Sequence, residues 1–512
     1  MEGKPDARAS DCLSMGSLGR KVTTATNVSR NRATRERRGQ KTKMEMSEFR
    51  QGIPTRENLL GQEPSVLNPE EGYPSPAITS GERREGESAK SEKVLERVYD
   101  RRRLQAAWQQ VRKNAGAAGI DEVTVEAFDG QAEKNLKFVQ EKLQAGTYRF
   151  RPARRVEIPK PGSEKKRKLG IPTVMDRVVS QSMNSALEEI LDAKFTRSNF
   201  GFRRGKSQHQ AIGYMRQIIA EGYEWCASID LQSFFDEIPH DLILKLIRRN
   251  IRDEKLVTLV VRALKAGVMT AEGLVKSNKG TMQGSPVSPI LSNLVLNELD
   301  QRLEARGHKY VRWADDFLIF LKSERAACRV MESTTQYLEK DLGLPVNKEK
   351  SQVGRSYQIV FLGFQILRGK IRVSEKAKAK FREEIRGLTR RNNPYSMYRI
   401  IQELNEKLRG WMSYFRVQEF RRPIEELDWF IRSRLRSMQL KKWKNPRRLQ
   451  REMFRQRYKP QEVRSTWIKM NRWQSVNIPI VKFILNEEWF RQMGLIFLGD
   501  FVQQTLELKF SY

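Results

Sequence analysis

Cysteine and histidine are scarce in this sequence, and their scarcity excludes several kinds of site. The 512 residues include only Cys12, Cys226 and Cys328, together with three histidines. Cysteines so far apart cannot form a disulfide framework or a zinc cluster. Three histidines also argue against a histidine-rich nuclease module. The composition therefore fits a reducing compartment.

Long apolar runs are missing as well. No run approaches the roughly 18 residues needed to span a bilayer. The longest candidates, 256–269 and 478–485, are interrupted by Arg262, Lys265 and Lys482. The first residues contain no apolar core of the signal-peptide type. We therefore expect a cytoplasmic protein with no membrane among its partners.

Positive charge is what the sequence has in excess. Lys and Arg number 96 against 62 Asp and Glu, which gives a net charge of +34 and a pI near 10.1. Such an excess draws a protein onto a polyanion in a salt-dependent way. Nucleic acid is the first candidate partner and an anionic membrane surface the second. The charge is spread along the chain, which favours nucleic acid.

Composition and patterning divide the chain into three parts. Residues 1–88 are rich in Gly, Ser, Pro, Arg and Glu and show no apolar period, which predicts a disordered polar tail. Residues 89–370 alternate helical and strand-like stretches, as in a mixed fold of helices and strands. Beyond residue 370 the strand signals become few, and the chain is helical and strongly basic.

Several elements are predicted within residues 89–370. Apolar residues recur at helical spacing over Val174–Leu191 and again over Ile290–Leu303, which predicts two amphipathic helices. Alternation over Trp225–Ile229 predicts a short strand that ends at Asp230.

Two adjacent carboxylates are the most informative feature. Asp315 and Asp316 stand between two runs of strand-forming residues, which predicts a tight turn between paired strands. Adjacent carboxylates repel each other, and a divalent cation would supply the missing counter-charge. Asp230 is a third carboxylate at a strand end, as a two-metal phosphoryl-transfer site would need. The alternative is a pair of solvated aspartates at a hairpin tip.

A series of short blocks resembles the group II intron-encoded reverse transcriptases, in the order that the family has them. The blocks are Leu169–Arg177, Asn199–Ser207, Ile229–Ile238, Gln283–Pro289, Trp313–Asp316, Val346–Ser351 and Phe361–Phe364. The resemblance covers roughly residues 94–500. It implies an α+β fold of the right-hand polymerase type, with fingers and palm at 89–370, a helical thumb or maturase domain at 371–448 and a small DNA-binding domain at 449–512.

The resemblance also implies a catalytic site. Asp230, Asp315 and Asp316 would be the catalytic carboxylates and would bind two Mg²⁺ ions. Phe235 would lie under the sugar of the incoming nucleotide and exclude a 2′-hydroxyl; an ordinary core phenylalanine is the alternative.

Further residues would bind substrates. Gln283 and Gly284 would line the nucleotide pocket. Lys160 and Arg167 would hold the triphosphate, since a guanidinium fork and an ammonium both suit phosphate oxygens; solvated surface is the alternative for both. Lys350 would lie near the primer backbone.

Three positions depart from the family pattern. Trp313 stands where the family usually has Tyr before Ala-Asp-Asp, Ser285 where it usually has Gly, and Arg204 where it usually has Pro. None of them removes a metal ligand. Trp313 and Ser285, which the resemblance places close to template, primer or nucleotide, bear on rate and fidelity and leave room for a lineage diverted to another task.

The basic C-terminal part resembles the family too. Leu404–Phe415 and Leu427–Arg436 are similar to the maturase domain, and interleaved cations and aromatic residues suit RNA. The candidate nucleic-acid contacts are Arg432, Arg436, Lys441, Lys442 and Lys444. Many relatives continue into a Cys- and His-bearing endonuclease of the HNH type, for which this chain has too few of both residues.

The function expected is RNA-directed DNA synthesis by target-primed reverse transcription, together with assistance to intron splicing. The partners expected are group II intron RNA, a DNA target or primer and deoxynucleoside triphosphates, with a homodimer as an option and a bacterial, nucleoid-associated location. Two rival functions are a splicing-only maturase and a domesticated relative that serves phage defence or DNA repair.

Overall fold

The computed structural model describes residues 92–159, 166–443 and 476–502, with 447, 450, 451 and 454 in addition. All of them belong to one compact unit, Thr79–Tyr512. Lys160 and Lys444, two of the predicted binding residues, and the predicted tail at 1–88 lie outside the described residues. Helices and strands alternate as far as Val373 and only helices follow among the described elements, as the α+β prediction requires.

Four helices begin the described chain. They are α1 (Val94–Val98), α2 (Arg101–Asn114), α3 (Val125–Asp129) and α4 (Ala132–Gln144). Asp100 and Thr124 start α2 and α3 by accepting hydrogen bonds from backbone amides of the first turn, which satisfies donors that a helix start leaves free. Their buried faces join the largest core of the protein.

A four-stranded sheet follows, in the order β2-β1-β4-β5. Its strands are β1 (Ala153–Pro159), β2 (Lys166–Ile171), β4 (Val268–Thr270) and β5 (Gly273–Val275). β1 and β2 form an antiparallel pair in which Ile158 lies opposite Arg167.

A second four-stranded sheet has the order β6-β7-β3-β8 and is antiparallel throughout. Its strands are β3 (Trp225–Ile229), β6 (Lys309–Trp313), β7 (Asp316–Leu321) and β8 (Gln352–Arg355). The helices around it are α5 (Val174–Leu191), α6 (Gln208–Ala220), α7 (Phe234–Glu237), α8 (His240–Asn250), α9 (Glu254–Leu264), α10 (Ser288–Ala305) and α11 (Glu324–Gln336). Buried residues on opposite faces of this sheet belong to two different cores, one of which includes α5 and α10 and the other α6.

The C-terminal part is helical. A hairpin of β9 (Phe364–Leu367) and β10 (Lys370–Val373) leads into α12 (Glu375–Leu388), α13 (Met397–Phe415), α14 (Arg421–Trp443), α15 (Pro479–Ile484) and α16 (Glu487–Gln492). The buried residues of these helices form a third core. No helix among the described residues is long and apolar enough to cross a membrane.

The elements predicted from the sequence are confirmed. The first predicted helix is α5, with the predicted bounds, and the second is α10, which begins two residues earlier than Ile290. The predicted strand is β3 and ends immediately before Asp230. The two strands that flank Asp315 are β6 and β7.

Candidate active site

A two-residue turn joins β6 to β7 and carries the paired carboxylates. Trp313 pairs with Asp316, so Ala314 and Asp315 form the turn itself. Ala314 is buried and has a φ of 57°, a left-handed conformation that costs a residue with a Cβ roughly 1–2 kcal/mol. The surrounding structure therefore has to hold this turn in place.

The strand order brings Asp230 to the same turn. β3 lies beside β7 with Ile229 opposite Phe317. Continuing this antiparallel register by one residue puts Asp230 beside Asp316. The sequence left open whether the three carboxylates meet, and the sheet topology answers the question.

Electrostatics confirm that these carboxylates share one environment. Burial, together with the negative charges of Asp315 and Asp230, raises the pKa of Asp316 to about 6. Burial also raises the pKa of Asp315, with Asp230 contributing in the same direction. Negative charge is thus concentrated where an added cation would be most favourable.

The segment Val346–Ser351 holds the backbone of Asp230, the third carboxylate residue, in place. The Asp230 amide donates to Ser351 Oγ at 3.1 Å, and its carbonyl accepts from the Asn347 amide at 2.8 Å. Lys350 Nζ lies 3.3 Å from Asp230 Oδ2. The predicted primer-binding lysine therefore contacts Asp230, one of the three predicted catalytic carboxylates.

The donor set fits Mg²⁺ rather than zinc. Among the described residues, no group of three or more His, Cys, Asp and Glu side chains is arranged to hold a metal ion by itself. Mg²⁺ usually takes only one or two protein carboxylates and completes its shell with water and substrate phosphates. The carboxylates supply oxygen ligands and concentrated negative charge, and Lys350 already lies beside Asp230. These features are compatible with a Mg²⁺ ion whose coordination shell is completed by the substrate.

Phe235 lies at the start of α7, close to the carboxylates in sequence. It is half-buried and packs against the main core, whereas Phe234 beside it is buried. The Thr281 amide donates to the Phe235 carbonyl at 2.6 Å. The backbone of Phe235 is thereby tied to the segment that leads to Gln283.

Gln283 and Gly284 lie against β2. The Gln283 carbonyl accepts from the Gly170 amide at 2.9 Å. Gly284 has a φ of 116°, and a Cβ there would lie 2.4 Å from the Gly170 carbonyl oxygen. Only glycine fits here, because a side chain would collide with the Gly170 carbonyl. Packing against β2 therefore explains the glycine at position 284.

Arg167 is exposed on β2, and its positive charge partly offsets the rise that burial causes in the pKa of Asp315. This influence indicates that the guanidinium is close enough to Asp315 for their charges to interact. Its predicted role in triphosphate binding is compatible with that position.

The predicted nucleic-acid contacts on α14 differ in their surroundings. Lys441 is exposed. Lys442 Nζ donates to the carbonyls of Asn393 and Tyr395. Arg432 is partly buried and pairs with Glu487 at 2.7 Å.

Arg436 requires a correction. It is 4% exposed, and its Nε donates to the Leu485 carbonyl. A guanidinium enclosed in this way cannot reach a phosphate without leaving the core. The structure gives Arg436 a packing role in place of the predicted RNA contact.

Sequence reasoning missed two residues close to the carboxylates. Arg312 and Asp300 form a fully buried ion pair behind the β6–β7 turn. An Arg within a core strand and an Asp on the inner face of an apolar helix were visible as exceptions to the hydrophobic pattern. Such exceptions are the only signal of a buried pair that a single sequence carries.

Two family models match the chain. The reverse transcriptase (RNA-dependent DNA polymerase) model matches residues 158–366, and the group II intron maturase-specific domain matches residues 378–458.

Curated relatives agree with these matches. Protein YkfC of Escherichia coli is 31% identical over 302 residues, which cover 51% of this chain and 79% of that protein. The group II intron-encoded protein LtrA of Lactococcus lactis is 28% identical over 344 residues. These cover 54% of this chain and 57% of LtrA, so the chain spans little more than half of that relative.

A solved structure of telomerase from Candida albicans overlaps with 58% of this chain and 62% of its own, at 12% identity and a TM-score of 0.36. The overlap is too slight to support an inference.

The α+β fold, the carboxylate site and the domain matches define a reverse transcriptase, an RNA-directed DNA polymerase of a class that generally needs a divalent metal. The chain belongs to the family of group II intron-encoded reverse transcriptases that carry a maturase domain.

Proposed function

We propose that this protein synthesises DNA on an RNA template at Asp230, Asp315 and Asp316, using two Mg²⁺ ions. The observation that supports the proposal best is the strand order β6-β7-β3, which gathers three carboxylates from two separate parts of the chain. Bound Mg²⁺ would activate the primer 3′-hydroxyl and balance the charge on the reacting phosphate.

The chain's own residues would orient the substrates. Phe235 would exclude a 2′-hydroxyl, so that deoxynucleoside triphosphates are preferred. Arg167 and Lys160 would bind the triphosphate, and Gln283 and Gly284 would line the nucleotide pocket. Lys350 would leave Asp230 for the primer backbone when a metal ion replaces its positive charge.

The maturase-specific match extends the proposal to RNA. Residues 371–448 would act as thumb and maturase domain and bind group II intron RNA, and residues 449–512 would bind the DNA target. The protein would then couple target-primed reverse transcription to intron splicing, as a monomer or a homodimer, in the bacterial cytoplasm at the nucleoid.

Primer extension on an RNA template in the presence of Mg²⁺ tests the polymerase. Asp315→Ala and Asp316→Ala should each abolish DNA synthesis, because each removes a metal-binding carboxylate. Glu272→Ala is the matched control, since Glu272 is an exposed carboxylate in the turn between β4 and β5. This control should extend the primer at the rate of the unmodified protein.

A folded protein that binds RNA but makes no DNA at any Mg²⁺ concentration would contradict the polymerase. That result would favour a maturase that assists splicing alone. DNA synthesis without any effect on splicing would favour a domesticated relative, for which the departures at Trp313 and Ser285 leave room.

A further inference from the structure

Arg312 is the largest fully buried side chain in the described part of the chain, with no solvent exposure. Its guanidinium contacts three different groups behind the β6–β7 turn. Nε donates to both carboxylate oxygens of Asp300 on α10, and Nη1 donates to Asn293 Oδ1 at 2.9 Å. The same Nη1 donates to the carbonyl oxygen of Ala314 at 2.9 Å.

The ion pair by itself does not explain why charge is buried here. Asp300 is also fully buried, and removing two charges from water costs about as much as their attraction returns. Apolar residues of similar volume often hold a core equally well. The contact that apolar residues could not replace is the hydrogen bond to the Ala314 carbonyl.

That carbonyl belongs to the residue on which the turn depends. Ala314 has a φ of 57° and immediately precedes Asp315. A turn in this conformation is maintained by its surroundings. A rigid guanidinium fork, itself fixed by Asp300, suits this task because its donors are held in one plane.

The opposite side of the turn is supported by the same network. A Cβ on Gly201 would lie 2.2 Å from the Ala314 amide nitrogen, so the backbones of Gly201 and Ala314 are in close contact. Asn293 Nδ2 donates to the Gly201 carbonyl at 2.8 Å, while Asn293 Oδ1 accepts from Arg312. The Asn293 side chain thus connects Arg312 and Gly201, which contact the turn from its two sides.

We propose that Arg312 is a positioning residue, which fixes the turn through the Ala314 carbonyl so that Asp315 and Asp316 are placed to bind the divalent metal. Asp300 and Asn293 orient the guanidinium. The inference rests on the proposed function, because it concerns the same carboxylates.

The test uses the full-length protein and separates positioning from stability. Arg312→Met combined with Asp300→Leu removes both charges together, so neither is left buried and unpaired. We expect the unfolding temperature and the primer–template Kd to change little. The affinity for Mn²⁺, measured by electron paramagnetic resonance, and kcat for DNA synthesis should each fall about 10- to 100-fold, as is usual when a residue behind a metal ligand is lost.

Arg312→Lys is the second variant, in case the double variant does not fold. A lysine keeps the charge opposite Asp300, but a single ammonium cannot reproduce a fork that reaches three groups. We expect it to fold and to lose Mn²⁺ affinity and kcat in the same direction, with little change in the KM for deoxynucleotides.

Folded variants with Mn²⁺ affinity and kcat within threefold of the unmodified protein would overturn the inference. So would losses that merely follow a lower unfolding temperature. An unmodified protein that neither binds Mn²⁺ nor makes DNA would instead contradict the proposed function, so the two failures are distinguishable.

Discussion

Gly201 is a single residue on which the geometry of the carboxylate turn depends. Its position allows no Cβ, because that atom would lie 2.2 Å from the Ala314 amide nitrogen. Gly201→Ala should therefore displace the turn and lower the rate of DNA synthesis about 100-fold, the loss that a misplacement of about 1 Å can cause. Steady-state primer extension measures the effect.

The matched control for that variant is Gly213→Ala. Gly213 lies in α6 with open space around the position of a Cβ. Alanine is the better helix former, so this control should keep full activity and unfold at the same or a higher temperature. Equal activity in both variants would show that the turn tolerates the displacement.

Phe235 is the residue at which the sugar preference can be tested. Its ring is half-buried at the start of α7. Phe235→Ala should open space beside the sugar and raise ribonucleotide use relative to deoxynucleotide use by about 10- to 200-fold, the range that one pocket contact controls. Competitive incorporation of the two nucleotides gives the ratio.

Phe235→Tyr keeps the ring and should keep the preference. If Phe235→Ala lowers stability and leaves the ratio unchanged, Phe235 is an ordinary core residue. The contact between Phe234 and Phe235, whose ring centroids are 5.4 Å apart, makes some loss of stability expected in either case.

The individual elements were largely predictable, because apolar spacing records which face of a helix or strand is buried. The helix over Val174–Leu191 and the strand over Trp225–Ile229 have the bounds that their patterns indicated. The hairpin around Asp315 was predictable because two strand-forming runs are separated by a short turn.

How these elements assemble was harder to predict from the sequence. The meeting of Asp230 with Asp316 depends on the order of strands in the sheet, which a local pattern does not encode. Arg436 was misassigned for a related reason. Its burial comes from packing against the segment around Leu485, and the basic composition of α14 gives no sign of it.

The contact between α14 and the C-terminal segment contains a carboxyl group that should make stability depend on pH. Asp428 accepts hydrogen bonds from the Leu498 and Gly499 amides, both at 2.9 Å. Burial nevertheless raises its pKa to about 6. Between about pH 4 and 6 the folded state therefore binds this proton and the unfolded state does not.

Stability from Asp428 should consequently fall as the pH rises from about 4 to 6. The difference from the ordinary pKa of 3.8 corresponds to about 3 kcal/mol at most. Asp428→Asn cannot titrate, so its free energy of unfolding should vary less over this window, as measured in denaturant titrations at several pH values. Parallel pH profiles for both proteins would contradict the assignment.

At the scale of the whole molecule, the dominant property is the net charge of +34. A polymerase that must hold a template through many steps benefits from attraction to phosphates that does not depend on sequence. The carboxylate turn is a small negatively charged region in a positively charged protein. A divalent metal would be needed there, because the carboxylates would otherwise repel a phosphate.

RNA binding should therefore weaken steeply with salt. Contacts to about 6–10 phosphates would lower affinity roughly 10³- to 10⁵-fold between about 50 and 200 mM salt. Lys441→Ala, which removes an exposed cation from α14, should reduce the slope of log K against log salt concentration by about one. Fluorescence anisotropy with a labelled structured RNA, repeated over a range of KCl concentrations, provides both slopes.

Arg436→Met provides the contrast on the same helix. Because the Arg436 guanidinium is enclosed and bound to the Leu485 carbonyl, its loss should lower the unfolding temperature and leave the salt slope unchanged. A slope that changes for Arg436→Met as much as for Lys441→Ala would mean that Arg436 leaves the core to bind RNA. If Lys441→Ala leaves the slope unchanged, the RNA-binding surface does not include the end of α14.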